Sequence, residues 1–472
     1  MDLSTLTIAE ARRALDAKEY SALDLTEAYL DAIKKKDGEI HAYLEVWEDS
    51  ARAEARAADE AIARGESLPL TGIPLAVKDN ILIEGRIASA ASKMLANYSA
   101  SYDASVITKL KAQHAVFLGR TNMDEFALGG STENSAFGPS KNPHDTSRVP
   151  GGTSGGSTAA VAAGMALGAL GSDTGGSIRQ PSAFCGVVGL KPTYGAVSRS
   201  GLIAAASSLD QIGAIGKTVE DTNIIFEAIR GHDEKDSTSL PDSFFDKRSQ
   251  ASKRIGVPRA YLTKGVDTDV LTAFEHSLKA LSAKGYEIVD VEIPTLEYAL
   301  AVYYIINPAE VSTNLARLDG VRYGLSMPGA NVAESYEKTR AAGFGAETRR
   351  RILVGTFVLS AGYADAYYRT ARRVRSLMKS DFARVFESGV SAIALPTTPA
   401  PAFKLGEKSD PLAMYAADIF TVPINLAGVP AISVPSGTVE REGKQLPIGF
   451  QLIAQHGGEE TLFAIGKDVE SA

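Results

Sequence analysis

Two short segments place hydroxyl side chains among glycines: Gly151-Gly152-Thr153-Ser154-Gly155-Gly156-Ser157 and Ser172-Asp173-Thr174-Gly175-Gly176-Ser177-Ile178-Arg179. Glycine lets backbone N–H groups turn inward and approach a ligand. Free N–H groups in such a loop, or at the start of a following helix, hold an anion or a developing oxyanion. A serine there has a donor-rich site beside its own hydroxyl, as acyl transfer requires. Phosphate binding is the competing chemistry. The P-loop spacing is not met, because the first glycine it needs before Ile215-Gly216-Lys217-Thr218 is Gln211. Gly152-Thr153-Ser154-Gly155-Gly156 does fit G-x-S-x-G. A nucleophile elbow also needs a downstream His and Asp. None of the six histidines, His41, His114, His144, His232, His276 and His456, sits in a segment built for catalysis.

Without histidine, another base must take the serine proton. Lys78 closes the apolar run Pro74-Leu75-Ala76-Val77 and precedes Asp79-Asn80. It is either that base or a solvated lysine at a strand end. An ordinary lysine has a pKa of about 10.4, so roughly 0.1% is neutral near neutral pH. To act as a base its pKa must fall by about 2–3, which burial away from carboxylates supplies.

These side chains need elements to hold them. Residues 74–78 read as a buried strand, and residues 115–119 as another apolar run of strand length. Residues 129–216 are rich in Gly, Ser and Thr yet interleaved with Val, Leu and Ala, which marks a packed site rather than a linker. The first 65 residues read as a helical segment packed on the core. Thr7-Ile8-Ala9-Glu10 is a capping-box pattern, Ser21 opens a second helix, and a third covers residues 49–64 up to Gly65. Residues 254–257, 267–283 and 287–291 follow strand–helix–strand logic. Residues 296–388 read as mostly helical, and short strands return at 392–396 and 431–435. The expected fold is α/β: one large domain, residues 66–472 with the helical segment 1–65 packed on it, built on a mixed sheet with helices on both faces.

Composition narrows the function classes. The chain has 472 residues and a net charge of -8, so a phosphate-neutralising nucleic-acid surface is not expected. The single cysteine, Cys185, makes no internal disulfide and reads as a small buried hydrophobe. No signal peptide or membrane span is indicated, so a cytoplasmic location is expected.

Lys78, the 151–157 loop and Asp173-Thr174-Gly175-Gly176-Ser177 together resemble the amidase signature family over nearly the whole chain, including the 24 residues between Thr153 and Ser177. Further stretches are similar to the glutaminase subunits of tRNA-dependent amidotransferases. They are Gly129-Gly130-Ser131-Thr132-Glu133, Ser177-Ile178-Arg179-Gln180-Pro181, Ser207-Ser208-Leu209-Asp210-Gln211, Arg317-Leu318-Asp319-Gly320-Val321-Arg322-Tyr323-Gly324 and Asp418-Ile419-Phe420-Thr421-Val422-Pro423.

The resemblance implies a Ser–Ser–Lys triad with Ser177 as nucleophile and Lys78 as base. It also implies an oxyanion hole from the N–H groups of Thr174, Gly175, Gly176 and Ser177. Glutamine is the implied substrate: Gly129, Gly130 and Ser131 line its site, Asp418 holds its α-amino group, and Arg351 holds its carboxylate, with Arg350 equally placed by position. An Arg fork suits a carboxylate and an Asp suits an ammonium. The family's bridging serine, held in a cis peptide, is here Thr153. Thr keeps the hydroxyl and adds a methyl that restricts χ1; Ser154 is the alternative hydroxyl. The implied assembly is a heterotrimer with subunits B and C. Ammonia passes to a partner that amidates Glu-tRNA(Gln) and carries the tRNA, ATP and Mg, with no cofactor in this chain. The other readings are a stand-alone amidase for another small amide, and a non-catalytic module that binds anions with its glycine loops.

Overall fold

The computed structural model describes residues 2–244, 252–263 and 265–471. Within them the chain forms a single mixed sheet flanked by helices. Its strands are β1 (Tyr43–Val46), β2 (Pro74–Lys78), β3 (Val116–Thr121), β4 (Gly168–Asp173), β5 (Val188–Lys191), β6 (Gln211–Gly216), β7 (Arg254–Val257), β8 (Glu287–Asp290), β9 (Ala392–Pro396), β10 (Ala431–Arg441) and β11 (Lys444–Ala454). The order across the 11-stranded sheet is β1-β3-β2-β4-β6-β5-β10-β11-β9-β7-β8.

In the half of the sheet edged by β1, β2 runs parallel to both β3 and β4. Every residue of β2 and β4 is buried, which explains their continuous apolar runs. The sites of open α/β sheets lie beyond the carboxyl ends of such strands. Here Lys78 ends β2 and Asp173 ends β4. Helix Gly155–Ala162 leads into β4. Gly156 lets that helix lie against the chain after β3, because a Cβ there would fall 2.5 Å from the Asn122 carbonyl oxygen.

The N-terminal helices start as their sequence signals indicate. Thr7 and Glu10 form a capping box on helix Ile8–Asp16, and Ser21 does the same with Asp24 on Ala22–Ile40. A third helix spans Glu48–Ala63, and Gly65 follows it at positive φ. Between these helices Tyr43–Val46 is strand rather than helix: it pairs antiparallel with β3 and edges the sheet. The segment 254–290 is strand–helix–strand, with β7 and β8 parallel. A feature not read from the sequence is the long hairpin of β10 and β11, 11 residues each. Its register shifts between Pro435 and Thr438, which breaks the alternation that would mark one continuous strand.

Candidate active site

Lys78 is fully buried, at 0% exposure. Its Nζ lies 2.7 Å from Thr153 Oγ1, 2.8 Å from Ser154 Oγ, 2.9 Å from Ser172 Oγ and 3.1 Å from the Ser172 carbonyl oxygen. All four partners are neutral oxygens. Burial pushes the Lys78 pKa down to about 7, against the opposing pull of Asp124, Asp173 and Asp210. The amine therefore meets the demand placed on a base. Solvated placement at a strand end, the competing reading, is not what the fold gives this lysine.

The three hydroxyls around Lys78 are not equivalent. Ser154 Oγ donates to the Ser172 carbonyl at 3.1 Å, so its proton is committed. Ser172 Oγ accepts from Asn80 Nδ2 at 2.9 Å. Thr153 Oγ1 has Lys78 as its one partner among the described residues. The Gly152–Thr153 peptide is cis. The next peptide returns to the second loop, because Ser154 N–H donates to the Ser177 carbonyl at 3.0 Å.

Ser177 follows Gly176, whose φ of 131° is a conformation only glycine adopts readily. A Cβ there would also strike Thr421 Oγ1 at 2.3 Å. Ser177 is 7% exposed, and its hydroxyl makes no hydrogen bond among the described residues. Asp173 organises the turn. Its carboxylate accepts Gly176 N–H at 2.8 Å and Ile178 N–H at 3.2 Å. Burial opposes its charge, yet the Arg179 guanidinium, bonded to both its oxygens at 3.0 Å, holds the carboxyl well below the usual range. Gly176 N–H is thereby occupied, whereas the N–H groups of Thr174, Gly175 and Ser177 have no partner among the described residues.

The second half of the site comes from helices. Arg351, on helix Ala346–Leu359, is 5% exposed. Its guanidinium carbon lies 4.6 Å from the ring centroids of both Tyr304 and Tyr415. Nε donates to Glu347 at 2.6 Å, and Nη1 donates to Asn307 at 3.2 Å. Tyr304 OH donates to Asp418 Oδ2 at 3.0 Å. Burial pushes Asp418 up to about 7, against the pull of Tyr304 and Arg351. Arg350, by contrast, is exposed and pairs with Glu347 alone. Gly129, Gly130 and Ser131 form a loop beside this cluster: Ser131 N–H donates to Asp124 at 3.3 Å, and a Cβ on Gly130 would sit 3.5 Å from Met414 Sδ. The helical cluster reaches the catalytic loop through Tyr303, whose hydroxyl would lie 2.5 Å from a Cβ on Gly175, and through Thr421, which donates to the Gly175 carbonyl at 2.6 Å. Tyr304, Asn307, Glu347 and Tyr415 carried no sequence signal, since each sits in an ordinary helical pattern.

Cys185 is buried, and burial pushes its thiol up to about 12. Among the described residues no cluster of His, Cys, Asp and Glu could hold a metal ion. No described helix is long and apolar enough to cross a membrane.

A buried lysine at a strand end, a hydroxyl on a cis peptide and a serine in a glycine turn meet in one site. Residues 24–463 match the Amidase family model, and the chain belongs to that family. It is 51% identical over 479 residues to the A subunit of glutamyl-tRNA(Gln) amidotransferase from Desulfatibacillum aliphaticivorans, covering 100% of this chain and 98% of that one. Among solved structures it is similar to the A subunit of glutamyl-tRNA(Gln) amidotransferase from Thermotoga maritima. That match has a TM-score of 0.80 and 40% identity over 100% of this chain and 95% of the other. It is also similar to a chain from a vestigial protein complex related to the origins of an s-triazine catabolic enzyme. There the TM-score is 0.85 and the identity 32%, over 99% and 98% of the two chains.

Proposed function

We propose that this chain is the glutaminase subunit of a tRNA-dependent amidotransferase, and that Lys78, Thr153 and Ser177 perform the hydrolysis. The observation that carries the reading is the buried Lys78 amine, lowered to about 7 and 2.7 Å from Thr153 Oγ1. The neutral amine draws a proton from Thr153, which takes one from Ser177. The freed Ser177 Oγ attacks the side-chain carbonyl carbon of glutamine. Negative charge moves to the carbonyl oxygen, facing the free N–H groups of Thr174, Gly175 and Ser177. Lys78 returns the proton through Thr153 to the leaving nitrogen. The C–N bond breaks, ammonia departs, and a glutamyl ester remains on Ser177. Water then attacks the ester and its proton passes through Thr153 to Lys78; the bond between Ser177 Oγ and the acyl carbon breaks, Lys78 returns the proton to Oγ, and glutamate leaves.

Substrate recognition falls to Asp418 for the α-ammonium and Arg351 for the α-carboxylate, beside the loop of Gly129, Gly130 and Ser131. The buried position of Arg351 against Tyr304 and Tyr415 favours it over the exposed Arg350. Glu347 already shares Arg351, so a bound carboxylate competes with it for the guanidinium. Subunits B and C complete the cytoplasmic heterotrimer. A partner holds the tRNA, with ATP and Mg, and uses the ammonia to convert Glu-tRNA(Gln) to Gln-tRNA(Gln). The names of the 40–51% identical relatives support this assignment.

The test is a glutaminase assay on the chain with and without its partner subunits, with Ser177→Ala as control. Glutamate release that requires Ser177 and rises with the partners is the expected result. Amide hydrolysis on other small amides, with none on glutamine, would instead identify a stand-alone amidase.

A further inference from the structure

Gln180 has no part in the chemistry above, yet three loops of the site meet on it. Its side chain is 1% exposed. Oε1 accepts the N–H of Gly152 at 2.9 Å, on the residue before the relay residue Thr153. Nε2 donates to the carbonyl of Gly130 at 2.9 Å, in the loop beside the substrate cluster. Its backbone N–H donates to the carbonyl of Gly176 at 2.9 Å, next to Ser177. The fit is close: a Cβ on Gly151 would come within 2.4 Å of Oε1. The two bonds fix the amide's orientation, since a flipped amide would set N–H against N–H and oxygen against oxygen.

We infer that Gln180 is a positioning residue that holds the relay loop, residues 151–153, in register with the substrate loop, residues 129–131. The inference rests on the glutaminase reading of this site. Thr153 is held by Lys78 and Ser131 by Asp124, and the two loops pack closely, since a Cβ on Gly152 would fall 2.6 Å from Ser131 N. The Gln180 amide bonds to both loops. It works because an amide presents a donor and an acceptor on one planar group. An ionised glutamate keeps the acceptor for Gly152 but sets an oxygen against the Gly130 carbonyl. Methionine leaves both buried groups unpaired.

The experiment compares Gln180→Met and Gln180→Glu in the assembled enzyme. Melting curves check the fold. One readout is the rate at which a fluorophosphonate labels Ser177, which needs no glutamine; the other is glutaminase kcat and KM. Gln180→Met should slow labelling about tenfold and lower kcat/KM about tenfold to a hundredfold. Gln180→Glu should label within about threefold of wild type while KM rises about tenfold. Its kcat/KM relative to wild type should recover as pH falls, because a protonated glutamate regains a donor for Gly130. A merely structural residue would shift melting without that split or that recovery. Unchanged labelling and kinetics in Gln180→Met, or equal losses in both variants at every pH, would overturn the inference. If Gln180→Met does not fold, the pH recovery in Gln180→Glu decides. If wild type labels but releases no glutamate from glutamine, the glutaminase reading fails, and the labelling rates still decide whether Gln180 holds the relay loop.

Discussion

At the floor of the site Lys78 is enclosed by four neutral oxygens within 3.1 Å, on chain fixed to the ends of buried strands. At the wall Arg351 lies against a stacked pair of tyrosine rings and shares its charge with Glu347. Its helix leaves Leu353 and Phe357 at least half exposed. The floor holds an amine whose pKa desolvation pushes down to about 7, among loops packed closely through their glycines. The wall joins the Arg351–Glu347 pair to Asp418, which burial pushes up to about 7, on helices with a second face still open. Lys78 with its loops and the Arg351–Asp418 cluster, proposed for chemistry and for recognition, thus sit on separate layers, joined where Tyr303 and Thr421 meet Gly175 and Gly176. One layer can then be altered without the other, and variants can test that separation.

Ser177→Ala gives the largest effect: glutaminase kcat should fall by about 10⁴–10⁶-fold, with no fluorophosphonate label and little change in glutamine binding. Lys78→Ala should cost about 10²–10⁴-fold in both labelling rate and kcat. Thr153→Val, equal in size but without the hydroxyl, should follow Lys78→Ala. Thr153→Ser should stay within about tenfold of wild type, and a dead Thr153→Ser would reject the relay role.

Asp418→Asn tests the wall. It should lower kcat/KM for glutamine about tenfold to a hundredfold through the lost charged hydrogen bond, yet leave labelling of Ser177 unchanged. If labelling slows as much as turnover does, the two layers are not separate.

pH gives a finer test. In the proposed mechanism neutral Lys78 is the active form, and burial pushes its pKa down to about 7, so labelling should rise as pH increases through 7 and fall about tenfold by pH 6. Asp418 is also pushed up to about 7 and must be ionised to hold an ammonium, so KM for glutamine should rise over the same fall in pH. Labelling in Asp418→Asn isolates the lysine, and its midpoint should not move. The smallest effect is at Cys185: held as a buried thiol pushed up to about 12, it should resist alkylation at pH 8 in the folded chain.

Much of the floor was legible in the sequence because its chemistry uses local signals. Glycine runs mark backbone that turns toward a ligand, the missing histidine forces a search for another base, and residues 74–78 read as a buried strand that is β2 in the structure. The motifs carried the resemblance to the amidase signature family, and the match over residues 24–463 establishes the membership. The wall was less legible. Arg350 and Arg351 are neighbours in one helical run, and only the angle of that helix buries one and exposes the other. Tyr304, Glu347 and Tyr415 are separated by 43 and 68 residues along the chain and meet only after folding. Gln180 looks like any polar residue in a helix until two loops from elsewhere place a carbonyl and an N–H against its amide.

The sequence by itself offered candidates for the reacting atoms: a serine among glycines and a lysine at a strand end, with the Thr153 hydroxyl added by the family resemblance. The tertiary structure decided the burial that pushes the lysine pKa down to about 7 and the pairing of Arg351, Glu347 and Asp418 with their neighbours. Both depend on desolvation and on distances between segments remote in the chain, which no local pattern encodes.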